Sequence, residues 1–443
     1  MSSPAGMKGG RGGSGKGAGR GGKGHGGGKG HSGSGPSPQL LTANIKNAKT
    51  LAELFRTVAA YESHFNHIHL SACWNTLGHM ARDDPNRSWF EQHEAALEAL
   101  VQRTTIVAAG SEVRARELAN IAHGVAKSGR GGGAGGGTMG ELMTALARAI
   151  EGRVTDCNSQ ELANIAWGFA KVGHTDASLF SALARVAEKR LDGFKSQELA
   201  NTAWAFATVG DADAALFTAL ARVVARRLDD FTVQGLVNTM WAFATAGHSD
   251  APLFAALSKR AQWRLAELTA QDIAQAAFAF AKIGEADASL FSALARATEQ
   301  QMTQFNAQGL ANTVWAFAKV GHMDAPLFTS LSRAIENRLS EFNAQDLANT
   351  AWGFAKACHS EESLFKALAR SAGSCLSDFN TQDLVNTAWA FAKLGQGDAA
   401  LFTAVASSLV LPHRRLGELN AAQISNIAWA FAKENQVLVG TSY

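Results

Sequence analysis

A short block of residues returns along this chain at a fixed spacing, and nothing else in the sequence constrains the fold as strongly. Ser159-Gln-Glu-Leu-Ala-Asn-Ile-Ala-Trp-Gly-Phe-Ala-Lys171 comes back almost unchanged as Ala344-Gln-Asp-Leu-Ala-Asn-Thr-Ala-Trp-Gly-Phe-Ala-Lys356. Its asparagine falls at Asn164, Asn201, Asn238, Asn312, Asn349 and Asn386, with Gln275 in the same register, so every step is 37 residues. Asn426 follows after 40, and Asn120 precedes Asn164 by 44, an excess that the glycine insert at 130–137 accounts for. Asn75, in Cys73-Trp-Asn-Thr76, is a degenerate earlier copy. A period of this length marks a solenoid, in which no unit buries its apolar face alone and stacking gives neighbours a continuous core.

Each repeat reads as two helices. Helix A runs from about Gln160 to Val172, capped by Asn158 or Ser159, and by Asn343 in a later copy. Gly173, Gly210, Gly247, Gly284, Gly321 and Gly395 mark its end. Helix B opens at an acidic cap at Asp176, Asp213, Asp250, Asp287, Asp324, Glu361 or Asp398, with Pro252 and Pro326 in its first turn. It ends near Leu191, and a phenylalanine such as Phe194 or Phe231 leads into the next copy. Strand patterns are absent. The expected fold is therefore all-α, an α-solenoid of stacked helix-turn-helix repeats of 37 residues. Residues 1–38 are expected to be a disordered Gly/Lys/Arg-rich tail, 39–157 degenerate leading helical repeats, and 158–443 regular helix pairs with the last one incomplete.

At ~100° per residue, Leu162, Ile165, Ala166 and Phe169 share the core face of helix A, flanked by the small residues Ala163, Ala170 and Gly168. Opposite them runs a narrow stripe: Gln160, Asn164, Trp167 and Lys171. It recurs as Gln197, Asn201, Trp204; Gln234, Asn238, Trp241; Gln308, Asn312, Trp315, Lys319; Gln345, Asn349, Trp352, Lys356; and Gln382, Asn386, Trp389, Lys393. The exceptions are Gln275 and Phe278, and Thr208 and Thr245 in the lysine slot. In a solenoid such a stripe lines the concave surface. Its chemistry suits single-stranded nucleic acid: indole rings stack bases, amides meet exposed base edges, and lysine reaches a phosphate. A scaffold role accounts for the same residues: asparagine bonded to neighbouring backbone, tryptophan filling the seam between repeats, lysine complementing a helix C-terminus. A uniform stripe implies weak sequence discrimination.

Helix B carries two further columns. One is Arg148, Arg185, Arg222, Lys259, Arg296, Arg333 and Arg370; the other is Arg153, Arg190, Arg227, Arg264 and Arg338. Each reads either as a basic ridge or as a solvated face paired with nearby acids.

Charge divides unevenly. Lys8, Arg11, Lys16, Arg20, Lys23 and Lys29 are the charged residues of 1–35; the chain totals 41 basic and 38 acidic side chains, so residues 36–443 hold 35 against 38, or −3. The repeats are thus not basic, which counts against a strong non-specific grip on phosphate. The tail's Arg11-Gly-Gly13 and Arg20-Gly-Gly22 are compatible with an RNA-binding tail or with a solubilising one. Cys73, Cys157, Cys358 and Cys375 form no C-x-x-C pair and suggest neither a disulfide framework nor a zinc site. His67-Ile-His69 lacks partner ligands, and His174, His248, His322 and His359 are loop residues at repeat spacing. No apolar run spans a bilayer, which needs roughly 18 residues. No nucleophile elbow, phosphate loop or metalloprotease motif occurs. Binding rather than catalysis, with no cofactor, no metal, no membrane and no small-molecule substrate, is the expectation.

The run Phe342-Asn-Ala-Gln-Asp-Leu-Ala-Asn-Thr-Ala-Trp-Gly-Phe-Ala-Lys356 resembles the core of the octotricopeptide repeat, and the period is similar to that of the heptatricopeptide repeat. The same helix-pair class resembles the repeats of FAST-kinase-like mitochondrial RNA proteins. Phe65-Asn-His-Ile-His-Leu-Ser-Ala-Cys-Trp-Asn-Thr76 resembles their degenerate leading repeat. The resemblance covers the chain from about residue 40 onward. It implies organellar RNA binding, in a mitochondrion or chloroplast, serving transcript stability, processing or translation. Such proteins often end in a small α/β RAP domain, whereas this chain stops at Tyr443 just after helix A of its last repeat, as a fragment would. The alternative is a protein-interaction scaffold of armadillo or HEAT type, favoured by the negative balance of the repeats.

Overall fold

The computed structural model describes residues 36–81, 92–129, 137–211, 213–410 and 415–440. Of the tail expected over 1–38, residues 1–35 lie outside these residues, as do the glycines of 130–136, and the tail's expected end is corrected at Ser37 and Pro38, which belong to the first helix. Pro38 opens the first helix, where Ser37 accepts the Leu40 N–H as its cap.

The described residues form α-helices joined by short 3-10 turns, with no strand among them, and the helices pack with their neighbours in sequence as an α-solenoid. The regular A helices are Ser159–Val172, Ser196–Val209, Val233–Ala246, Ala270–Ile283, Ala307–Val320, Ala344–Lys356 and Thr381–Leu394. The B helices between them are Ala177–Glu188, Ala214–Arg226, Ala251–Trp263, Ala288–Gln301, Ala325–Glu336, Glu362–Ser374 and Ala399–Val410, and Ala421–Gly440 is the last A helix. Upstream, His67–Met80 with Glu94–Ala108, and Ala115–Ser128 with Thr138–Glu151, continue the same pairing.

Local chemistry sets each boundary. Asn158 accepts the Glu161 N–H while the Glu161 carboxylate accepts the Asn158 N–H, each at 2.9 Å, a reciprocal cap that supplies orphan amides at the helix start. Asp176, Asp213, Asp250, Asp287, Asp324 and Asp398 cap the B helices through side-chain oxygens. Glu361 occupies the same position but its longer side chain makes no capping bond, which corrects that expectation. The terminal glycines sit at φ between 66° and 87°, and Cys358 takes the equivalent left-handed place at 53°.

Successive A helices lie in close apposition, whereas successive B helices meet over much less of their length. A stack packed more tightly on one side curves toward that side, so the A layer forms the inner face. Gly124, Gly168 and Gly353 sit at close approaches: a Cβ on Gly124 would stand 2.5 Å from the Trp74 carbonyl, one on Gly168 2.9 Å from the Ala122 carbonyl oxygen, and one on Gly353 would meet the backbone and side chain of Val314. Between layers, each B-helix phenylalanine meets the A-helix phenylalanine of the next repeat edge-on. Seven such pairs, from Phe180–Phe206 to Phe402–Phe431, have centroids 5.1–5.6 Å apart. This geometry adds about 1 kcal/mol per pair beyond area burial.

The second arginine column is neither a ridge nor merely a solvated face. Arg190, Arg227, Arg264 and Arg338 each donate a guanidinium N–H to the carbonyl of Cys157, Phe194, Phe231 or Phe305 in the preceding repeat, at 2.6–2.9 Å. Gln301 does the same to Leu268 at 3.0 Å, and Arg153 reaches Ser111 at 3.1 Å. Arg227, Arg264 and Arg338 also pair with the acid three residues on. These side chains tie one repeat to the next at the turn where the backbone has left its helix and its carbonyl has no helical partner.

Candidate nucleic-acid interface

The stripe is on the surface in every regular repeat. Gln160, Gln197, Gln308, Gln345 and Gln382 are exposed and Gln234 is half-buried. Asn164, Asn201, Asn238, Asn312, Asn349 and Asn386 are half-buried, as are Trp167, Trp204, Trp241, Trp315, Trp352 and Trp389. Lys319 and Lys356 are exposed; Lys171 and Lys393 are half-buried. The residues expected opposite, Leu162, Ile165, Ala166 and Phe169, are buried. Since the A layer is the inner one, the stripe lines a groove along the stack.

The amides and the rings behave differently. Among the described residues the side chains of Asn164, Asn201, Asn238, Asn312 and Asn349 hydrogen-bond to no protein group; only Asn386 is engaged, accepting from Gln382 at 2.7 Å. The backbone-bonding role that a scaffold would assign to asparagine is not found. The tryptophans, by contrast, touch one another. Trp204–Trp241, Trp315–Trp352 and Trp352–Trp389 have centroids 6.3, 6.2 and 6.4 Å apart with planes 30–35° from parallel, and Phe278–Trp315 are 5.0 Å apart. Upstream, His123 fills the tryptophan slot and lies 5.2 Å from Trp167. A base held between two rings needs planes about 6.8 Å apart, twice the ~3.4 Å rise of stacked bases. Plane separation cannot exceed centroid separation in such a stack, so no base enters within a run. The expectation of a stacking platform on every tryptophan is corrected: inside a run the rings seal the seam, and a free face remains only where a run breaks. Among the described residues the ring contacts stop between Trp167 and Trp204, between Trp241 and Phe278, and between Trp389 and Trp429.

Several lysines lean back on the ring of their own helix: Lys393 Nζ is 4.8 Å from the Trp389 centroid, Lys433 5.1 Å from Trp429, and Lys282 5.9 Å from Phe278. Burial lowers the Lys282 pKa. Acids at the groove's upper edge are held inward: Asp346 and Asp383 are buried in their caps, and desolvation raises both, against the backbone bonds from Asn343 and Asn380 that lower them. On the B side, Arg148, Arg185, Arg222, Lys259, Arg296, Arg333 and Arg370 are exposed, and none is in an ion pair among the described residues. The pairing expected for this column is absent. His174, His248 and His322 pack their rings against Phe169, Phe243 and Phe317, as repeat-closing residues. His69 is buried, its Nδ1 accepting the Asn66 N–H and its Nε2 3.0 Å from the Pro38 carbonyl. No described helix is long and apolar enough to cross a membrane.

The fold defines a helical-repeat protein of the α-solenoid class. Residues 93–438 match the family model of the RNA-editing substrate-binding complex 6 protein, and the chain belongs to that family. The match contains the whole stripe from Gln160 to Lys393. No protein of curated function matches the chain in sequence. Among solved structures it is similar to a homology model of the full-length AP-3 complex in an intermediate open conformation, at 10% identity and a TM-score of 0.30, covering 90% of this chain and 87% of the other. It is also similar to a circular tandem repeat protein with novel repeat topology and enhanced subunit contact surfaces, at 15% identity and a TM-score of 0.20, covering 90% and 94%.

Proposed function

We propose that the chain binds single-stranded RNA along the groove of its A helices and serves, as a non-catalytic subunit, in an assembly that holds substrates for RNA editing. The family description points to such an assembly. The observation that carries the reading is the file of five half-buried asparagines whose amides have no protein partner. Their amides are reached by solvent and hold nothing in the protein, so they are free to exchange water for the groups of a ligand lying along the file. The octotricopeptide-like block and the period favour an organelle, mitochondrion or chloroplast, as the place of action. Protein partners fit the exposed outer layer of B helices.

The test uses the full chain and short single-stranded RNAs in an anisotropy titration at low salt. Asn201→Ala, Asn312→Ala and Asn349→Ala together remove three amides that hold nothing in the protein, so the thermal unfolding midpoint should barely move. Affinity should fall by about a hundredfold, given about 1 kcal/mol for each of the three lost hydrogen bonds. Unchanged RNA affinity in this variant would move the site off helix A. A wild-type chain that binds no RNA at low salt would leave the scaffold reading, which the −3 balance of residues 36–443 favours.

A further inference from the structure

Two of the stripe's departures from its own repeat fall on one helix. Gln275 stands in the asparagine slot and Phe278 in the tryptophan slot. In the next copy Gly309 occupies the third helical residue, as Gly235 does in the copy before that of Gln275, where Glu161, Glu198, Asp272, Asp346 and Asp383 carry an acid. Around these positions lies a cavity of about 110 Å³ that opens on the groove. The rings of Trp241 and Phe278 line it, together with the amide side chains of Gln271, Gln275, Gln308 and Asn312. None of these four amides hydrogen-bonds to protein among the described residues. Here too the ring contacts are interrupted, since Trp241 touches Trp204 and Phe278 touches Trp315 but nothing joins Trp241 to Phe278.

We propose that this cavity receives one pyrimidine base splayed out of a single-stranded RNA lying in the groove, an inference that rests on the RNA reading above. Size selects the base. A closed cavity of about 150 Å³ holds one benzene; this one, at about 110 Å³, is smaller but open on the groove, so one six-membered ring enters with its outer edge left in the groove, and a purine's fused rings exceed the space further. Stacking is available on the face of Trp241 that no neighbouring ring covers. Recognition comes from the amides, each of which both donates and accepts and so complements the polar edge of a pyrimidine. Glycine at 309 matters twice. Its missing Cβ would stand 3.0 Å from the Asn306 side-chain oxygen, and its missing carboxylate spares the site a negative charge beside an incoming phosphate. Asp346 is the carboxylate that remains in the lining. A uniform stripe grips any sequence, whereas this one irregular repeat supplies a point of discrimination.

The experiment compares labelled oligopyrimidine and oligoadenylate RNAs on the full chain. Gln275→Asn with Phe278→Trp restores the residues that neighbouring repeats already accommodate and fills the cavity. Oligopyrimidine affinity should fall by about tenfold, the order of one stacked base, with oligoadenylate affinity unchanged. Gln275→Leu keeps the volume and removes an amide, and should lower oligopyrimidine affinity alone. Equal binding by the wild type and both variants overturns the cavity while leaving the groove reading intact. A wild-type preference for oligoadenylate overturns the size assignment. Failure of the wild type to bind either RNA at low salt overturns the inference and the groove reading together.

Discussion

His123 shows how one position can be set by its neighbours. It fills the tryptophan slot of its repeat, its ring 5.2 Å from Trp167. Burial, and then the charges of Lys127 and His79, lower its pKa from 6.5 to about 4. It is therefore neutral at pH 7 and acts as one more ring in the seam. The folded value lies below the unfolded one, so its contribution is fully present above pH 6.5 and is lost as pH falls toward 4. Between pH 7 and pH 4.5 the loss amounts to about 2–3 kcal/mol, at ~1.36 kcal/mol per pKa unit. Asp346 and Asp383, which burial raises, act with the opposite sign and gain stability over the acid limb. The comparison that isolates the histidine is His123→Phe: urea unfolding at the two pH values should show the variant losing about 2 kcal/mol less than the wild type. Parallel losses in both proteins would mean that His123 is protonated without penalty.

At the scale of the element, the bond between repeats depends on a side chain at the end of helix B. Arg190, Arg227, Arg264, Gln301 and Arg338 all donate to a carbonyl of the preceding repeat. Cys375 falls in the same register and bonds instead to the Ser371 carbonyl of its own helix, at 3.3 Å. Asp378 already waits three residues on, where Asp230, Glu267 and Glu341 pair with their arginines. Cys375→Arg should therefore install the missing tie to the Phe342 carbonyl and raise stability by about 1 kcal/mol, the net value of a hydrogen bond to a charged donor at a partly exposed site. Arg264→Met should lower it by about 1–3 kcal/mol, because a carbonyl is left unmatched. Thermal unfolding of the two variants beside the wild type checks both signs. Periodicity made the helices, their caps and the core face of Leu162, Ile165 and Phe169 readable from letters alone, since these depend on residues within one repeat. The arginine ties were unreadable because their partner is a backbone carbonyl, which every residue carries. The contact of Trp204 with Trp241 was unreadable for a different reason: it depends on the rise between repeats, and no side-chain pattern encodes that distance. The cavity did leave a trace, in Gln275, Phe278 and Gly309, but only as exceptions to a rule.

For the whole molecule the question is which face of the stack meets a polyanion. Residues 36–443 are net negative by three, so long-range attraction cannot select a face, and local rows of cations must. Two rows compete. The groove carries Lys282, Lys319, Lys356 and Lys393 in four consecutive repeats, and the outer face carries the seven basic residues from Arg148 to Arg370. Each phosphate neutralised on a single strand contributes about −0.7 to the slope of log affinity against log salt. Binding in the groove through the lysine run should therefore give a slope of about −3, and binding along the outer row about −5. Absolute slopes also count tail residues, so the decisive quantity is the change on substitution. Lys319→Ala or Lys356→Ala should flatten the slope by about 0.7 each, whereas Arg222→Ala and Arg296→Ala should leave it where it was. The reverse pattern would place the RNA on the outer row, away from the free asparagine amides, and would leave those amides to a protein ligand. The groove is favoured because it combines a row of cations with a repeated file of unpartnered hydrogen-bonding groups and a free aromatic face. The outer row offers charge and, one turn beyond Lys259, the exposed indole of Trp263, but no repeated file of unpartnered amides beside it.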